Sequence, residues 1–89
     1  MRKVVTVTEV EGEGLTALLG KKVMLFCMNY IYAGTLTGVN DSCVLLENGG
    51  IVYDTGAFDN KKFIDYQPIG QLLYVQLSAV ESFCETTQC

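Results

Sequence analysis

Apolar and polar residues alternate along this chain in a way that points first to strands. Val4-Val5-Thr6-Val7-Thr8 is built of β-branched residues, so about residues 3–9 are expected to be extended. Glu11-Gly12-Glu13-Gly14 breaks that strand. Leu15-Thr16-Ala17-Leu18-Leu19 places apolar residues at i, i+3 and i+4, the spacing of a short helix that Gly20 can end. Lys21-Lys22 follows, where cations meet the negative pole of that helix. Val23 to Met28 is an apolar run, Asn29-Tyr30 a turn, and Ile31 to Val39 alternates with period two. Tyr32, Gly34, Leu36 and Gly38 share one face, and two glycines four apart predict sharp bending. Asn40-Asp41-Ser42 is a turn and Cys43 to Glu47 the next strand. Asn48-Gly49 is a hairpin signal, with Ile51-Val52-Tyr53 as the returning limb. Thr55 to Lys62 is polar apart from Phe58, Phe63 to Tyr66 is a short limb, and Gln67-Pro68-Ile69-Gly70 turns again. Leu72 to Leu77 and Ala79 to Cys84 are the last strands, before a polar tail, Glu85 to Cys89, expected to fray. A short helix followed by five curved strands predicts a mainly β fold, a small barrel.

Length and composition narrow this picture. With 89 residues there is room for one domain, residues 1–89, and a chain this short buries only about 60–65% of its unfolded surface. At 49% hydrophobic and 18% charged it is too apolar for disorder. Its longest apolar run is too short to cross a bilayer, and Arg2-Lys3 leads into Val, Thr and Glu rather than a secretory core. The reading is a cytoplasmic protein without a membrane partner. The absence of His excludes His catalysis and any His-ligated metal.

Six basic residues face ten acidic ones, the reverse of the balance in a sequence-independent nucleic-acid binder. All six come as doublets: Arg2-Lys3, Lys21-Lys22 and Lys61-Lys62. Solvated surface is the plain explanation, although identical doublets repeated in an assembly would make a positive ring. Cys27, Cys43, Cys84 and Cys89 form no CxxC pair. They are read as reduced thiols, with Cys27 and Cys43 buried in apolar runs, as a reducing compartment allows. No carboxylate pair, activated nucleophile or phosphate-binding loop stands out, so no enzyme, cofactor or metal is expected.

The order of motifs resembles the Sm/LSm family, including its bacterial branch, the Hfq host factors. Gly34-Thr35-Leu36-Thr37-Gly38-Val39-Asn40-Asp41 is similar to the Gly-x-Leu-x-Gly-Phe-Asp core of that family's first motif. Leu18 to Val23 resembles the end of its helix and the start of its first strand, and Val44-Leu45-Leu46-Glu47-Asn48 its third strand. Gln71-Leu72-Leu73-Tyr74-Val75-Gln76 looks like the Gln-Met-Val-Tyr-Lys-His run of the bacterial branch, and Ser78-Ala79-Val80 the turn after it. The match spans about Leu15 to Phe83 and is interrupted by an insertion at about residues 49–70.

This resemblance implies an SH3-like five-stranded Sm barrel with a short N-terminal helix. It also implies a homo-oligomeric ring of about five to seven subunits, formed when one subunit's fourth strand pairs with the next one's fifth. The implied activity is binding of single-stranded RNA without catalysis. Asn40, Asp41, Ser42 and Gln76 occupy the family's RNA-binding positions. However, Ser42 and Val44 stand where the family has a stacking aromatic and a base-reading Asn, and Gln76 where it has Arg or His. Weak base specificity follows. Basic or aromatic candidates are Lys21, Lys22, Tyr30, Tyr32, Lys61 and Lys62, the last two beside Phe63 and Tyr66. The alternatives are a ring that keeps the fold without RNA, tyrosines that are half-buried barrel aromatics, and an insertion whose limbs extend two strands and pack on a neighbour.

Overall fold

In the computed structural model, which describes residues 14–89, strands dominate: 54% of these residues are extended and 9% helical. The strand expected at residues 3–9 and the Arg2-Lys3 doublet lie outside the described residues. Six strands form one open antiparallel sheet: β1 Lys22–Cys27, β2 Ile31–Val39, β3 Cys43–Asp54, β4 Asp65–Pro68, β5 Leu73–Gln76 and β6 Val80–Glu85. Their order is β4-β3-β2-β1-β6, with β5 also paired to β3. No helix of the described residues is long and apolar enough to cross a membrane.

A four-residue 3-10 turn, Leu15–Leu18, stands where a helix of about one and a half turns was expected. Its bonds all close three residues back, as in Ala17 N–H to Gly14 O and Leu19 N–H to Thr16 O. Gly20 ends it with φ of 84° and donates its N–H to Leu36 O at 2.7 Å.

β2 bends as its glycines predict. The β2–β3 register slips between Ala33 and Thr35 and again between Leu36 and Gly38. Asn48-Gly49, by contrast, does not reverse the chain; β3 runs through it for 12 residues. A type I′ hairpin needs positive φ at both central residues, and only Asn48 has it, at 51°. Gly49 instead stays extended because β2 crosses it closely. The true reversal comes later. Gly50–Asp54 pairs with β4 and Cys43–Leu46 with β5, so β4 and β5 lie end to end along one side of β3.

The sheet carries a core on each face. Val23, Leu25, Leu36, Val44, Leu46 and Val75 fill one, with Tyr32 packed against them. Met24, Ala33, Val52 and Phe63 fill the other, with Phe26, Ile31 and Tyr66 around them. Consecutive residues of β1 therefore serve opposite cores, which is why Val23 to Met28 reads as a run without period. The insertion supplies the cover. Its limbs do extend β3 and add β4, but Phe63 and Tyr66 pack on the chain's own sheet, their rings stacked with centroids 5.5 Å apart. Phe63 is buried there, while Tyr66 stays half-buried.

The tail corrects another expectation. Thr86 and Gln88 are buried, and Gln88 is fully shielded. Thr86 donates its N–H to Lys22 O, Phe63 to Cys89 O and Cys89 to Lys61 O, all within 3.0 Å. The Gln88 amide nitrogen donates to Thr55 O at 2.9 Å and Ala57 O at 3.2 Å. These polar residues satisfy the backbone of the insertion rather than water, so the tail is held down.

Candidate functional site

Asn40 builds the turn between β2 and β3. Its Oδ1 accepts from the N–H groups of Ser42 at 2.8 Å and Cys43 at 2.9 Å, and from the Ser42 hydroxyl at 3.2 Å. That makes an Asx turn, and the oxygen is fully used there. Asp41 and Ser42 stay exposed. The register sets Cys43 opposite Gln76, and Leu77 N–H donates to Ser42 O, so the turn meets the end of β5. Asp41, Ser42, Gln76 and Tyr74 thereby line one open groove of about 630 Å³.

Tyr30 and Tyr32 flank the β1–β2 turn and line a second cavity, about 330 Å³, again with Tyr74 and Gln76. Tyr74 and Gln76 thus belong to both spaces. Tyr30 is 47% exposed while Tyr32 is half-buried against the core, and their rings meet at 58° with centroids 6.1 Å apart. Burial pushes the Tyr32 phenol above its usual range, and Cys27 and Tyr30 nearby push the same way. The Cys27 thiol is raised by burial first and by Glu81 second.

Sequence reasoning missed Tyr74 as a site residue. The signal was present: in an alternating strand Leu73 and Val75 face inward, so Tyr74 must face out, and it is 64% exposed.

The lysines are not brought to these spaces. Lys21 is exposed just before β1 and Lys22 half-buried at its start; Lys61 and Lys62 are exposed in the loop before Phe63, where the tail pairs. None of the four lines either cavity. The four cysteines are free thiols; Cys27 and Cys43 are only half-buried, and Cys84 and Cys89 are exposed. Among the described residues no three His, Cys, Asp or Glu side chains gather as a metal-binding group. Compared with family models, curated proteins and solved structures, the chain matches none of them.

Proposed function

We propose that this chain is an Sm-like, SH3-like five-stranded barrel in which β4 and β5 together act as the fourth strand and β6 as the fifth. Copies associate head to tail into a homo-oligomeric ring of about five to seven subunits that binds single-stranded RNA without catalysis and with weak base specificity. The observation that carries this reading is the pair of one-sided strands: among the described residues β5 is bonded only to β3 and β6 only to β1. The exposed row of β5 also lacks charge, which a lasting free edge needs against aggregation.

RNA enters through two features. The groove of Asp41, Ser42, Tyr74 and Gln76 supplies hydrogen-bonding groups and one exposed ring, and Lys21-Lys22 repeats once per subunit. With no cation among the described residues that line the groove, affinity rests on lysines outside it. Oligo-U, oligo-A and oligo-C should therefore bind within about tenfold of one another and weaken steeply with salt. The double change Lys21→Ala, Lys22→Ala should weaken all three alike and flatten the salt slope, while Gln76→Ala changes little. A strong uridine preference that survives high salt and disappears with Gln76→Ala would contradict this account.

A second reading is favoured by the same lack of cations in the groove: a structural or protein-interaction ring of the same fold. Absence of binding to all three oligonucleotides at low salt would select it.

A further inference from the structure

Three of the chain's five tyrosines, Tyr30, Tyr32 and Tyr74, line the same cavity of about 330 Å³. Tyr53 shares with Tyr30 a smaller one of about 260 Å³ at the same turn. Tyr30 and Tyr32 are not stacked on each other; at 58° and 6.1 Å they form a corner. Besides the tyrosine hydroxyls and the Cys27 thiol, the polar members of the lining are the uncharged amides of Asn29 and Gln76. Among the described residues no Lys or Arg lines it, and the sequence holds none between Val23 and Asn60 or after Lys62. The formal charge within reach is negative, since Glu81 acts on Cys27 in the cavity wall.

Those features sort the possible ligands. A phosphate-bearing ligand would find no counter-charge among the described residues of the lining, which offer a nucleotide only contacts to its base. A fully alkylated ammonium is different: it has no N–H to satisfy, is weakly hydrated, and is attracted to the negative faces of aromatic rings. The volume lies at the small end for ligand cavities, the size for a head group rather than an extended molecule.

We infer that the Tyr30–Tyr32–Tyr74 cavity is a binding site for an organic cation of the quaternary ammonium class, carried either by a free small molecule or by a trimethylated lysine of a partner protein. The site depends on neither the ring nor RNA, and it assigns Tyr30 and Tyr32 a role other than base stacking.

The chain has no Trp, and three of its five tyrosines line the cavity, so a change in tyrosine fluorescence follows occupancy. Choline titrated into the full chain should saturate. Its neutral carbon isostere, dimethylbutanol, should bind at least about tenfold more weakly, because it keeps the shape and loses the charge. Tyr30→Leu and Tyr32→Leu should each weaken choline by about five- to tenfold with an unchanged circular dichroism spectrum. Should Tyr32→Leu fail to fold, the exposed Tyr30 carries the test alone. A trimethyl-lysine peptide that binds more tightly than choline, with its unmethylated form inert, assigns the cation to a protein partner. A peptide no tighter than choline assigns it to a free small molecule. The site is disproved if dimethylbutanol binds as well as choline, or if neither choline nor the peptide saturates. It is equally disproved if oligo-A, and not choline, is the ligand lost with Tyr30→Leu.

Discussion

A Cβ added at Gly34 would stand 2.9 Å from the Cα of Gly49 and 3.0 Å from the carbonyl oxygen of Glu47. Both obstacles are backbone, which cannot swing aside as a side chain would. Gly34→Ala should therefore force β2 and β3 apart and cost about 1–3 kcal/mol. In a chain of this size each kcal/mol lowers the thermal midpoint by about 4–8 °C. A thermal melt followed by circular dichroism measures it, and a midpoint equal to the parent's would show that the two strands do not touch so closely. Ionisable side chains carry a second consequence. Cys27, Tyr32 and Tyr66 all have burial as the main cause that raises them above 9.0, 10.0 and 10.0 respectively. The unfolded chain gives up these protons at the ordinary values, whereas the folded chain keeps them to higher pH. Stability is then full below about pH 9 and falls as pH rises through the folded values. Urea midpoints should be level up to about pH 8.5 and drop beyond about pH 10, and Tyr66→Phe should reduce the drop. Midpoints that stay level to about pH 11 would mean these groups are hydrated in solution.

The elements differ in how far the amino-acid order reveals them. β2 is legible over its whole length because period-two alternation and two glycines report the face it turns to the first core and its two bends. The turn at Asn40 was legible because an Asx side chain builds its own turn. The second core was not. Its buried members come from β1, β2, β3 and the loop, one from each, so no local period marks them. Asn48-Gly49 misled for a related reason: a glycine chosen for close approach of another strand looks the same in sequence as one chosen for a turn. The tail misled because its partners are backbone groups about thirty residues away. Of the candidate site, Asp41, Ser42 and Gln76 do gather, but Lys21, Lys22, Lys61 and Lys62 do not join them, since charge doublets say nothing of where a sheet carries them. The tail is also testable. Deleting residues 86–89 removes five hydrogen bonds, each worth about 0.5–1.5 kcal/mol, with water replacing part of the loss. A net loss of roughly 2–4 kcal/mol is expected, together with faster hydrogen exchange at the Phe63 amide, whose acceptor is Cys89 O. An unchanged exchange rate at Phe63 would show that the tail does not hold the insertion.

At the scale of the molecule the decisive property is that the sheet is open. Among the described residues β6 returns to pair with β1 and the far side of the sheet ends on β4 and β5, which leaves two unlike edges. In the proposed ring these unlike edges join head to tail, and such a contact either closes into a ring or grows into a filament. The curvature that the slips in β2 impose favours closure. Exposed Leu72 just before β5 and Phe83 on β6 give the two edges apolar flanks to bury. Light scattering at about 10 µM should then return a mass of about five to seven times 9.8 kDa, the same across a tenfold dilution. Phe83→Lys places a charge on β6, where it opposes pairing with an uncharged β5, as lysines do on natural edge strands. Phe83 is already 39% exposed in the single chain, so this change should leave the fold intact by circular dichroism. Its expected result is a particle of one chain's mass. A parent protein that runs as a monomer would remove the ring altogether. A Phe83→Lys variant that keeps the parent's mass would instead leave assembly in place and move the contact away from β6.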